Sequence, residues 1–118
     1  MTQAETVREH LDTLRGADYI ARCHAVTFIR WATEGWLIEG DRIVGEVVEP
    51  SAVDPVWHGS EVVEALVTVC SDPKESAAMW TEAAEALAYI WKDTGGADPR
   101  LLERLTPEAR SQVISEMG

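Results

Sequence analysis

The sequence predicts an all-α domain. Three observations carry that expectation. Apolar residues recur at spacings of three and four, prolines directly follow capping residues, and blocks of helical pattern occur twice in the same order. Ala4, Val7, Leu11 and Leu14 make one apolar stripe and predict a first helix near 3–15. A second, near 17–34, carries Tyr19, Ile20, Cys23, Val26, Phe28, Ile29 and Trp31. These cover most of its circumference, so it is expected to be buried. Ser60 is the expected cap of a third helix over 60–71, with Val62, Val63, Leu66, Val67, Val69 and Cys70.

The fourth helix is expected from Pro73 to about Thr94, where Gly95-Gly96 stops it. Met79, Trp80, Ala83, Ala84, Ala86, Leu87, Tyr89, Ile90 and Trp91 predict that it too is buried nearly all round. A short fifth follows Asp98-Pro99 with Leu101, Leu102 and Leu105, and a sixth, 107–117, places Ala109, Val113, Ile114 and Met117 on one side. Asp54-Pro55, Asp72-Pro73, Asp98-Pro99 and Thr106-Pro107 each set a capping oxygen before a residue whose φ suits a first turn. Glu75 extends Asp72-Pro73 into a capping-box variant, and Pro50 is read as ending a helix. The stretch 36–48 fits two patterns. Ile38, Ile43, Val44, Val47 and Val48 favour a hairpin turning at Gly40-Asp41, whereas comparison with the second half of the chain favours a helix over 42–49.

That comparison aligns Val7–Leu14 with Val62–Val69, Ala25–Gly35 with Ala86–Gly96, and Val44–Ala52 with Leu101–Ala109. It predicts a two-repeat bundle or solenoid-like domain, with units at 3–52 and 59–117 of one 118-residue domain. The run Glu82–Ile90 followed by Asp98–Leu102 resembles HEAT and armadillo repeats. The resemblance implies a surface for protein partners and transfers no catalytic residue. The unit is longer than those families use.

Composition narrows the function classes. Ten basic against 21 acidic residues leave a net charge of −11, which disfavours direct binding to nucleic acid or an anionic membrane. No apolar run approaches the roughly 18 residues of a membrane span. The start, Met1–Glu5, lacks the basic and apolar regions of a signal peptide, and two cysteines make no disulfide scaffold, so a cytoplasmic location is expected. Eight Arg against two Lys, with abundant Ala, Glu and Val, point to a bacterial or phage source. No phosphate loop, zinc-ligand or nucleophile-elbow motif occurs, and no cofactor or metal is expected.

Remaining candidates for chemistry are few. Glu61/Glu64 and Glu82/Glu85 are carboxylate pairs three apart that lack a matching His and read best as a solvated face. Arg22 and Arg30 on the second helix are expected to pair with Glu82 and Glu85 on the fourth. Cys70 with His10 or His24 would need a meeting across helices, and both cysteines lie among apolar residues. Trp80 and Trp91 are read as core.

Residues 34–64 hold eight acidic residues against Arg42, a net −7 of the total −11, and they bracket Trp36 and Trp57. An acidic rim around aromatic anchors suits a basic partner, which makes Trp36, Glu39, Asp41, Glu46, Glu49, Asp54 and Trp57 the candidate partner-binding residues. The expected function is that of a non-enzymatic acidic helical protein docking a basic protein, as immunity proteins, antitoxins or phage inhibitors of host enzymes do. The alternatives are a small helical enzyme or ligand-binding protein using His24, Cys70 or the Glu pairs, and a structural subunit of an oligomer.

Overall fold

The computed structural model describes residues 2–47 and 53–118. Six helices and one hairpin are found there: α1 (Gln3–Leu14), α2 (Tyr19–Glu34), β1 (Trp36–Glu39), β2 (Arg42–Val47), a 3-10 turn (Pro55–His58), α3 (Ser60–Ser71), α4 (Ala77–Thr94), α5 (Pro99–Arg104) and α6 (Pro107–Met117). The mostly helical expectation holds, with one short antiparallel hairpin added to it.

Capping chemistry sets most of the boundaries. Thr2 and Glu5 form a reciprocal capping box at α1, each side chain accepting the other's backbone N–H at 3.1 Å. Asp18 caps α2, and Gly35, with φ 102°, ends it. Asp98-Pro99 and Thr106-Pro107 start α5 and α6 as expected, and Asp54-Pro55 starts the 3-10 turn. Two starts differ. The cap position of α3 is Gly59, which has no side chain to bond, while Ser60 is already helical. α4 begins four residues later than Pro73, on Ser76, whose hydroxyl accepts the Met79 N–H. Asp72 instead closes a separate turn, its carboxylate accepting from Lys74 N–H at 2.8 Å and its carbonyl from Glu75 N–H. That turn delivers the Glu75 carboxylate to Arg22 at 2.7 Å.

The helix expected over 42–49 is a strand over Arg42–Val47. Glu39 pairs with Arg42, Ile38 with Ile43 and Trp36 with Val47, with an irregularity between Trp36 and Ile38. The reason lies in the residues: β-branched Ile43, Val44 and Val47 suit a pleated surface, and Gly40 and Gly45 take φ of 64° and 82°. A β2 strand where the second half of the chain has α5 removes the third match of the aligned blocks. Val48, Glu49 and Pro50 lie outside the described residues, and so does the helix end expected at Pro50.

α4 is flanked by α2 on one side and α6 on the other, with α3 packed against it and α1 against α2. Ala83, Ala84, Ala86 and Ala88 are all buried, and their small side chains let α4 approach several neighbours at once. Val26, Ile29, Leu66, Val67, Met79, Leu87, Ile90 and Val113 fill the space between. Three faces depart from expectation. Tyr19, Ile20 and Trp31 of α2 are exposed, so that helix is not buried over most of its circumference, Tyr89 of α4 is 39% exposed, and Ile114 of α6 points to solvent.

One corner is built twice. Arg22, four residues past the Asp18 cap, donates its Nε to Leu14 O at 2.8 Å. Arg110, four residues past the Thr106 cap, donates its Nε to Leu102 O at 3.1 Å. Each guanidinium bonds a carbonyl in the last turn of the preceding helix; the Leu102 carbonyl also accepts the Leu105 N–H at 3.3 Å. The two corners share the spacing Leu, three residues, Asp or Thr, two residues, Ala-Arg (Leu14/Asp18/Ala21-Arg22 and Leu102/Thr106/Ala109-Arg110) without a gap. Sequence comparison could have found this regularity; it relates residues 88 apart, an offset that none of the aligned blocks uses.

Candidate functional site

The aromatic residues of the first half separate into an inner and an outer group. Trp57 belongs to the inner one. It is 1% exposed, its Nε1 donates to Gln3 Oε1 at 2.8 Å, and its ring meets Phe28 and His10. His10 stacks on Phe28 with centroids 4.0 Å apart and donates Nδ1–H to the Thr6 carbonyl at 2.8 Å. Trp57 is therefore a core residue and not a surface anchor, because the 3-10 turn begun by Asp54-Pro55 points its ring inward between α1 and α2. Asp54 is exposed but occupied, its carboxylate accepting the Val56 N–H at 3.0 Å as the cap of that turn.

Trp36 belongs to the outer group but is half-buried, and it shares a hollow of about 230 Å³ with Asp54 and Trp57. Gly35 turns the chain out of α2, and β1 folds back so that the Trp36 and Trp31 rings lie 5.8 Å apart. Trp31 remains 37% exposed, with the Arg30 guanidinium 5.9 Å from its ring. The hairpin tip is fastened to α1, where the Thr6 hydroxyl donates to Gly40 O at 2.9 Å. That contact holds the exposed Glu39 and Asp41 beside α1. Of the other predicted site residues, Glu49 lies outside the described residues, and Glu46 is described in its backbone only.

Two hollows follow α2 on this side. One, of about 260 Å³, is lined by Glu9, His10 and Thr13 of α1 and by Ala21, His24, Ala25 and Phe28 of α2. The other, of about 190 Å³, is lined by His24, Thr27, Phe28 and Trp31 with Ile43 of β2. They share His24 and Phe28 and so form one groove. Glu9 is the only Asp, Glu, Lys or Arg among these lining residues.

The opposite flank of α2 is electrostatically closed. Arg30 bonds Glu34 at 2.6 Å and Glu82, and lies 3.5 Å from Glu85. The expected Arg30 pairing with α4 is present, whereas Arg22 pairs with Glu75 rather than with Glu82 or Glu85. Burial pulls the Arg30 guanidinium down, and its bonds to Glu34 and Glu82 outweigh that and raise it. Burial raises the Glu85 carboxyl, Arg30 opposes the rise, and Glu82, Glu116 and Glu34 add to it. Glu64 bonds Arg104 at 2.7 Å, which holds its carboxyl below the usual range. Glu82, Glu85 and Glu64 thus face arginines, while Glu61 is exposed as expected of a solvated face. Two of the eight carboxylates counted in 34–64, Glu34 and Glu64, are spent on internal pairs.

The candidates for other chemistry are placed apart. Cys70 is buried, its thiol contacts the Trp80 carbonyl at 3.7 Å, and burial pushes it up to about 12, which works against a thiolate. His24 sits on the exposed face of α2. His58 Nδ1 meets Asp93 Oδ2 at 2.8 Å and Nε2 meets Thr33 O at 3.2 Å, binding the 3-10 turn to α4 and α2. Among the described residues no group of three or more His, Cys, Asp or Glu is placed to hold a metal ion, and no helix is long and apolar enough to cross a membrane. Compared with protein-family models, curated proteins and solved structures, the chain matches none.

Proposed function

We propose that this chain is a non-enzymatic binding protein that docks a basic protein partner on the face formed by α2 and the hairpin. One observation carries the reading. Tyr19, Ile20 and Trp31 of α2 are three of the five large apolar residues found exposed among the described residues, and the Trp31 end of the helix adjoins a hairpin that presents Glu39 and Asp41. Apolar anchors with an acidic edge suit a cationic surface: the anchors set lifetime, and the charges steer encounter. A small acidic protein of this kind fits the class of immunity proteins, antitoxins and phage inhibitors of host enzymes. The HEAT/armadillo resemblance stays a proposal about architecture. It rests on the run Glu82–Ile90 followed by Asp98–Leu102.

The test is affinity capture from a bacterial lysate with the wild type and with Glu39→Lys/Asp41→Lys. A basic protein retained by the wild type and lost by the variant supports the reading. Retention that ignores the reversed charges removes the hairpin from the interface.

A further inference from the structure

The groove along α2 has a spacing that specifies more than the charge of its partner. Ile20, His24, Thr27 and Trp31 follow one another at four, three and four residues. That is the period of a seam against which a second helix packs at a shallow crossing angle. The seam spans about 16 Å, three turns of helix. Ile20 is 68% exposed, His24 is exposed, Thr27 is half-buried and Trp31 is 37% exposed. An isolated exposed apolar residue needs no explanation. Here His24, Thr27 and Trp31 line the two hollows together with Ala21, Ala25, Phe28 and Ile43, and Ile20 extends the stripe by one turn beyond them.

Resting on the reading above, we propose that the partner's contacting element is an amphipathic helix flanked by Lys or Arg, lying lengthwise on α2 between α1 and the hairpin. The helix follows from the 4-3-4 seam. An added strand would be held by backbone hydrogen bonds to a sheet edge, for which a helical stripe offers nothing. The positive charge follows from the edges of the seat. Asp18 stands at the α2 N-terminus, Glu9 lines the groove, and the hairpin tip bonded to Thr6 carries Glu39 and Asp41 against the single Arg42 that pairs across from Glu39. A second copy of the chain would bring another −11 to the same face.

Three synthetic peptides of about five turns test this, titrated into the full chain by calorimetry. The first has Leu at seam positions and Lys elsewhere. The second has the same Leu seam with Glu in place of Lys. The third has the Leu/Lys composition in scrambled order. The first is expected to bind at least about tenfold tighter than either control. Ile20→Ser and Trp31→Ser are each expected to weaken it by about tenfold or more. Ile20→Ser is the decisive variant, because its exposed side chain carries little of the fold. Equal binding of the scrambled Lys peptide overturns the helix and leaves the basic-partner reading standing. Equal binding of the Glu peptide overturns the cationic partner while keeping a helical seat. Absence of binding by every peptide overturns the seat. A concentration-dependent dimer in sedimentation that Ile20→Ser disperses assigns the groove to a second copy and overturns the proposal as well.

Discussion

The two long helices, α2 and α4, read alike in sequence and end differently in the fold. Both carry apolar residues around most of their circumference. α4 has α2, α3 and α6 packed against it, and Met79, Ala83, Ala84, Ala86, Leu87, Ala88, Ile90 and Trp91 are buried. α2 has α1 and α4, and the hairpin reaches its C-terminal end, which leaves Ile20 and Trp31 in solvent. Even α4 keeps Tyr89 39% exposed, so each apolar face of a helix is buried only where a neighbour packs on that side. Where the chain supplies none, the uncovered stripe is the place to look for a partner.

Substitutions can break or sharpen that contrast. The largest loss is expected from Trp57→Ala, about 3–5 kcal/mol, because a fully buried ring leaves a cavity and an unpaired Gln3 amide. Urea unfolding checks it, and a near-zero change would return Trp57 to the list of surface anchors. Ile29→Ala and Ile90→Ala follow at about 2–5 kcal/mol each, since both side chains are buried at matching places on α2 and α4. Unequal losses would show that the two helices share less of the core than their packing implies. On the uncovered side, Ile20→Ala is expected to stay within about 0.5 kcal/mol. A loss as large as that of Ile29→Ala would mean that α2 is covered after all.

The smallest expected effect is a gain. Glu85 is raised by burial on the closed flank of α2, so its protonated form is the one the folded state prefers. A carboxyl raised on folding contributes stability that is fully present below its ordinary value of 4.5 and is lost as pH rises through the raised value. Glu85→Gln keeps the side chain uncharged at every pH. It should raise the thermal midpoint near neutral pH, and the advantage over the wild type should shrink as pH falls below that ordinary value. A lower midpoint at neutral pH would show that the Arg30 attraction outweighs the desolvation and the repulsion from Glu82, Glu116 and Glu34.

Local chemistry by itself determined the helices. The 3.6-residue period, the Asp98-Pro99 and Thr106-Pro107 caps and the Gly95-Gly96 stop act within a few residues, so they are legible without a neighbour. The start of α4 was decided by tertiary structure. Asp72-Pro73 is a sound cap, but the Arg22 guanidinium, far away in the chain, holds Glu75 in a turn and leaves the capping to Ser76. The hairpin was legible in its β-branched residues and obscured by the comparison of the two halves, whose aligned blocks outweighed local propensity. In the candidate site, Glu39, Asp41 and Trp36 were legible as exposed acids beside an aromatic. Trp57 was not, since its burial depends on Gln3, His10 and Phe28, which only the fold assembles. The groove itself is a property of absence, the side of α2 that no later helix among the described residues covers. A linear sequence records which faces are apolar, but only packing decides which of them finds a neighbour within the chain.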